Sequence, residues 1–223
     1  MGVRKEAESK TNGEKFTLGL VAVEAEGAAE NPGTRGNGGN RNEIQDMIPT
    51  HKNKSLVLLQ VNCRSIYNKS LEFWNLVDMY NPDIIIGTES WLREDIGNAE
   101  FFREDYTTFR RDRQARGWGV FICVKNNIAC SELWVDEDFE ILAIEVKGTD
   151  PSYTWEIIGT YRAPNEDVRI TEMLATRAGS LGNFIKRSII GGDLNLLQVN
   201  WKGIADSSSA AQTFINRLVW DNG

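Results

Sequence analysis

The sequence predicts an α/β domain with mixed sheets, preceded by a tail, and three observations lead there. Two apolar runs that end in polar residues, "SLVLLQVN" (55–62) and "DIIIGTES" (83–90), flank a stretch of helical periodicity, which makes a βαβ unit. Three more strand-like runs follow, separated by turn-like residues in the manner of an antiparallel meander. The first 54 residues show neither pattern.

Residues 1–54 include "EGAAENPGTRGNGGNRNE", which has almost no large apolar side chain and cannot bury enough surface to offset its ordering entropy. Disorder is expected for 1–54, and the folded domain for 55–223. The patch "FTLGLVAVEA" (16–25) would suit a strand or one helical turn, but it has no neighbouring segment to pair with and is assigned no function.

Within the domain, the unbroken apolar character of 55–62 fits a strand buried on both faces. In "NKSLEFWNLVDMYNP" (68–82), Phe73, Leu76, Val77 and Tyr80 recur at helical spacing, and Asn81-Pro82 stops the helix. After the strand at 83–90 come "WGVFICVK" (118–125), "FEILAIEVKG" (139–148) and "TWEIIGTYR" (154–162). A helix over roughly 168–187 is weakened by Gly179 and Gly182. "SIIGGDLNL" (188–196) is a strand, and "SAAQTFINRLVWDNG" (209–223) a last helix closing on Asn222-Gly223.

Composition narrows the function. A net charge of -7 argues against a large basic surface for gripping nucleic acid. It leaves phosphate substrates open, because metal-holding carboxylates also count as negative charge. No apolar run reaches the ~18 residues of a membrane span, and the N-terminus lacks a signal-peptide core. A nuclear or cytoplasmic, non-secreted protein without membrane contact is expected. Cys63, Cys123 and Cys130 lack zinc-site or disulfide spacing and read as reduced, buried small residues. No G-x-G-x-x-G or P-loop follows either early strand, which disfavours a Rossmann-like nucleotide binder.

The polar residues that end the strands are Asn62, Glu89, Tyr161, and Asp193 with Asn195. Ligands in α/β sheets bind at the carboxyl ends of strands. With a period of two, Asp193 and Asn195 would face the same way and Leu194 the core, while Gly191 and Gly192 permit a close backbone or ligand approach. Each residue alone is as readily a turn, a satisfied polar group or a half-buried aromatic. Together they form a set of few carboxylates and amides of the kind that Mg²⁺ prefers, leaving room for water and phosphate oxygens.

"QVNCRS", "PDIIIGTESW", "GTYRAP" and "IIGGDLNL", in this order, resemble the endonuclease/exonuclease/phosphatase superfamily, and within it the apurinic-endonuclease-type domain of non-long-terminal-repeat (LINE-type) retrotransposons. The match runs from about Leu56 to Trp220. The resemblance implies a deoxyribonuclease I-like four-layer α/β sandwich, two mixed β-sheets flanked by helices. It implies a Mg²⁺-dependent (alternatively Mn²⁺-dependent) phosphodiester hydrolase, a DNA-nicking endonuclease that uses an activated water. DNA backbone would be its partner, together with a reverse transcriptase domain in a longer parent polyprotein. Glu89 would bind the metal, with Asn62 positioning the metal shell or the phosphate. Tyr161 would donate to a phosphate oxygen, Asp193 would activate the water, and Asn195 would hold the phosphate in line.

The chain departs from the family pattern in two places. Three glycines usually precede the strand at "VFICVK", whereas here "RGWGV" places Trp118 in the middle, costly if the backbone needs positive φ. An exposed indole there would instead stack on a base. Just upstream, Arg110, Arg111, Arg113 and Arg116 form either a phosphate-contacting loop or a solvated charged face. The second departure is at the end of the domain: the family's late Ser-Asp-His strand has no counterpart, and the single histidine, His51, precedes the first strand. An incomplete, C-terminally truncated sandwich is therefore expected. The alternative function is a non-catalytic remnant of a mobile element lacking the Asp-His end of the site.

Overall fold

The structure, a computed structural model, describes residues 5–11, 14–23, 56–112, 118–136, 138–147, 154–164, 169–170, 173–174 and 187–195. Its first two strands fall where none was expected. β1 (Lys5–Thr11) and β2 (Glu14–Val23) form an antiparallel hairpin, and β2 pairs antiparallel with β3 (Leu56–Asn62) from Thr17 opposite Asn62 to Val23 opposite Leu56. The expectation of a disordered 1–54 is corrected for these residues. The partner missing from the local sequence lies more than thirty positions later, where the edge of β3 offers unpaired backbone groups. Phe16 is buried in the resulting core.

The βαβ unit is present. β3 is followed by α1 (Ser70–Tyr80) and then by β4 (Ile84–Thr88), which lies parallel to β3. Asn81 ends the helix in the left-handed region (φ 44°), with its N–H donating to Val77 O at 2.7 Å, and Pro82 prevents continuation. After the short α2 (Asn98–Phe101), β5 (Tyr106–Arg111) and β6 (Val120–Lys125) make an antiparallel hairpin whose β6 pairs with β4. The first sheet has the order β1-β2-β3-β4-β6-β5. In the second, β7 (Cys130–Val135), β8 (Glu140–Lys147) and β9 (Thr154–Tyr161) form the meander, and β10 (Arg187–Asp193) joins parallel to β9. The strand at 118–125 thus belongs to the first sheet rather than to the meander. β5 and β7 were not anticipated, because the charged "FRRDR" and the exposed middle of β7 hide their period-two pattern.

Burial explains the continuous apolar runs. Successive strand residues point to opposite faces, so a strand between two layers must be apolar at every position. On one face of the first sheet, Leu59, Val61, Ile85, Phe121 and Cys123 pack against Phe73, Leu76 and Val77 of α1. On its other face Leu58, Ile84, Ile86, Ile122 and Val124 meet Leu142, Ile144, Val146 and Ile157 of the second sheet. Beyond that sheet, Ile141, Ala143 and Ile158 pack on Ile170 and Leu174, which are helical. The order helix, sheet, sheet, helix is the four-layer sandwich expected. Full burial of one ring such as Phe73 is worth roughly 1.5–3 kcal/mol. Cys63 and Cys123 are buried as expected, which pushes the Cys123 thiol up to about 12, whereas Cys130 is half-buried. Among the described residues no helix is long and apolar enough to cross a membrane. The helix expected at 209–223 lies outside them.

Candidate active site

The carboxyl ends of β3, β4, β9 and β10 meet. Asn62 closes β3, directly opposite Thr88 in the parallel register, and Glu89 follows at once. On the second sheet Tyr161 and Asp193 are register partners. Asn62 connects the two sheets. Its Nδ2 donates to Glu89 Oε1 at 2.9 Å and to Asp193 Oδ2 at 3.1 Å, while its Oδ1 accepts the Arg64 N–H at 3.2 Å. The Tyr161 phenol lies near enough to the Glu89 and Asp193 carboxylates to feel their negative charge. Burial, followed by the negative charges of Glu89 and Asp193, raises the Tyr161 pKa above its ordinary value. Asn62 and Tyr161 are buried, whereas Glu89 and Asp193 are half-exposed and accessible from solvent.

Local backbone strain holds these groups. Glu89 has a φ of 53°, and its carbonyl accepts the Ser65 N–H at 2.8 Å, so the loop after β3 fastens the turn after β4. Gly191 and Gly192 have separate reasons. At Gly192 φ is 143°, and a Cβ there would lie 1.8 Å from Thr160 O, so only glycine fits where β10 lies against β9. Gly191 has ordinary φ, and its Cβ would press on the Ile86 side chain of the facing sheet at 2.6 Å.

Asn195 does not lie where alternation placed it. β10 ends at Asp193, and Asn195 adopts φ 46° beyond the strand. Its N–H donates to Asp193 Oδ1 at 2.9 Å and its Nδ2 to Arg162 O at 2.7 Å. Its observed role is to orient the Asp193 carboxylate through a local turn of the kind Asn and Asp favour. Arg162, passed over within "GTYRAP", completes this turn from below: its N–H donates to Asp193 O at 2.8 Å and its Nη1 to Leu194 O at 3.2 Å. Glu140 was also missed. Opposite Tyr161 in the register and buried, it accepts the Gly119 N–H at 3.0 Å. A single acid opening a strand gives no pattern to detect.

Trp118 meets the condition that makes an indole costly, because its φ is 92°. Such a conformation costs about 1–3 kcal/mol in a residue other than glycine. Its carbonyl accepts the Trp91 N–H at 2.7 Å, and its ring packs on Tyr161 with centroids 5.8 Å apart.

Arg110 is not available to a phosphate. All five of its N–H groups have acceptors: Asp112 twice, Ile96 O, Asn98 Oδ1 and Arg93 O. Buried against Asp112, it clamps the loop before α2 to β5, which corrects the expectation of a DNA contact or a solvated face at this position. Arg111 is half-buried at the end of β5, and Arg113 and Arg116 lie outside the described residues.

No protein-family model and no curated protein matches the chain. Solved structures do. The endonuclease domain of TRAS1, a telomere-specific non-LTR retrotransposon, superimposes with a TM-score of 0.54 at 15% identity over 72% of this chain and 68% of that one. An AP endonuclease from Archaeoglobus fulgidus gives 0.52 at 16% identity over 71% and 67%. The fold is deoxyribonuclease I-like. In this deoxyribonuclease I-like sandwich Asn62, Glu89, Tyr161 and Asp193 form one cluster spanning the two sheets, with Asn195 just outside it.

The cluster suits a hard divalent cation. Two carboxylate oxygens lie within 3.1 Å of one amide nitrogen, and both carboxylates are half-exposed. Among the described residues no three His, Cys, Asp or Glu side chains gather into a metal cage. Few protein ligands, all of them oxygen, match an ion that keeps most of its waters, while the Asn62 NH2 orients the two carboxylates as a donor.

Proposed function

We propose that the chain is a DNA-nicking phosphodiester hydrolase dependent on Mg²⁺, with Mn²⁺ as a substitute. The observation that carries this reading is the bridge from Asn62 to both Glu89 and Asp193, which joins the ends of two sheets into one acidic, solvent-open site. Glu89, with Asn62 beside it, would hold the cation. When bound, the cation neutralises charge on phosphoryl oxygens and acidifies water.

The chain's own groups then divide the work. Asp193 accepts from Asn62 on one oxygen and from the Asn195 N–H on the other, which fixes the carboxylate plane and leaves a lone pair on each oxygen. In that orientation it takes a proton from a water placed beside it, as a general base. Tyr161 keeps its proton and can donate its O–H to an entering phosphate oxygen. Likeness to the endonuclease domain of a non-LTR retrotransposon supports DNA as the substrate. A reverse transcriptase domain in a longer parent polyprotein, which the motif resemblance implies, belongs to the same proposal. A nuclear or cytoplasmic location belongs to the same reading.

The test is nicking of supercoiled plasmid by the 223-residue chain with Mg²⁺ and with EDTA, beside Glu89→Gln and Asp193→Ala. Nicking that requires the cation and falls at least about a hundredfold in either variant is expected. Undiminished nicking in both variants, or none from folded wild type, overturns the proposal in favour of a contaminant or a non-catalytic remnant.

A further inference from the structure

The loop that carries Glu89 is fastened on both sides. Toward β3, the Ser65 N–H donates to Glu89 O at 2.8 Å and the Ile66 N–H to Ser90 O at 3.0 Å. Toward β6, the Ser90 N–H donates to Gly119 O at 3.2 Å and the Trp91 N–H to Trp118 O at 2.7 Å. Glu89 itself has φ 53°, a conformation that persists in a residue other than glycine only where its surroundings over-determine it. The turn on the β6 side is strained as well, with φ 92° at Trp118 and 97° at Gly119. It lies flush against the loop, since a Cβ at Gly119 would stand 2.5 Å from Ser90 Oγ. A contact from the other sheet holds that turn. Glu140 opens β8, and alternation along the strand puts it on the same face as Leu142, which packs against the first sheet. From there its Oε2 accepts the Gly119 N–H at 3.0 Å.

Resting on the nuclease reading above, we propose that Glu140 is a positioning residue for Glu89. It ties the second sheet, which carries Asp193, to the turn against which the Glu89 loop is fastened, and so sets the spacing of the two carboxylates. Asn62 bridges them directly from β3. Glu140 ties the sheets together on the opposite side of β4, where β6 is the neighbour. Glutamate is rarely buried unless its oxygens are engaged, and Glu140 is 5% exposed. An apolar residue, like Leu142 and Ile144 further along this face, would pack between the sheets without the cost of burying a carboxylate. It would offer Gly119 no acceptor. Groups that orient a cation's ligands from behind account for about tenfold to a hundredfold of its affinity.

The experiment measures binding of Mn²⁺ alone, by electron paramagnetic resonance, to the 223-residue chain and to variants that separate reach from charge. Glu140→Gln keeps an acceptor oxygen at the same reach and loses the charge. Glu140→Asp keeps the charge and draws the oxygens back by one methylene. Glu140→Gln is expected to stay close to wild type, and Glu140→Asp to lose about tenfold in Mn²⁺ affinity. Plasmid nicking should follow the same order. Leu142→Ala, a cavity on the same face, is the control: it should lower the melting temperature more than Glu140→Asp does and leave Mn²⁺ affinity unchanged. Wild-type affinity in Glu140→Asp, a loss in Glu140→Gln as large as in Glu140→Asp, or an equal loss in Leu142→Ala overturns the positioning role. Glu89→Gln separates the two failures. If it binds Mn²⁺ as well as wild type does, the cation site falls and the role of Glu140 with it. If it loses binding while Glu140→Asp does not, only the role of Glu140 falls.

Discussion

Replacing Gly192 with alanine should destabilise the protein by about 2–6 kcal/mol, far more than the same change one residue earlier. Two separate penalties act at 192. The φ of 143° lies in a region that side chains rarely adopt, a strain of about 1–3 kcal/mol. The added Cβ would also stand 1.8 Å from Thr160 O, a backbone atom that can yield only by opening the β9–β10 pairing, and such overpacking costs about 1–3 kcal/mol more. At Gly191 the φ is ordinary and the obstacle is the tip of the Ile86 side chain, which can rotate away. There the lower entropy of an unfolded chain carrying alanine, worth about 0.4–1 kcal/mol, offsets much of the crowding, so a loss of no more than about 1.5 kcal/mol is expected. Guanidinium unfolding of Gly191→Ala and Gly192→Ala beside wild type gives both differences from midpoint and slope. Because Asp193 follows at once, Gly192→Ala should also lose the proposed nicking activity even where it remains folded. A Gly192→Ala protein within about 1 kcal/mol of wild type, with its activity intact, would refute this account of the paired glycines.

Two further predictions concern side chains near the site. Arg110→Lys should cost about 1–3 kcal/mol in denaturant unfolding, since an ammonium has three donors and no planar fork to serve Asp112 and three other acceptors; an unchanged midpoint would reject the clamp. Tyr106 and Tyr161 both have their pKa raised, mainly by burial, so the native state keeps protons that the unfolded chain loses above pH ~10. Their contribution to stability is full below pH ~10 and is lost as pH rises beyond it. Tyr161→Phe should flatten part of that alkaline decline, and an ordinary ~10 midpoint for Tyr161 by ring-carbon NMR would contradict the burial argument.

The legible parts of the molecule were those whose cause is local. α1 was readable because Phe73, Leu76 and Val77 share one face and Asn81-Pro82 allows no further turn. β3 and β4 were readable because burial on both faces leaves a nearly continuous apolar run. The hairpin of β1 and β2 was not, because its stability depends on the edge of a strand far along the chain. Asn195 was misplaced for a related reason: alternation holds only while a strand continues, and nothing local shows that β10 stops at Asp193. Arg110 sits among charged neighbours that suggest a solvent-facing surface, yet its acceptors come from the separate segment 93–98 as well as from Asp112.

By itself the sequence determined which strands lie between two apolar layers, where α1 ends, and that polar groups close four strands on one side. Only the tertiary structure decided that Asn62 bridges Glu89 of its own sheet to Asp193 of the other, and that Tyr161 is buried beside those two charges. The physical reason is range. Apolar periodicity and turn chemistry act over a few residues, whereas the bridge from Asn62 to Asp193 spans 131 positions and exists only once the two sheets have packed face to face.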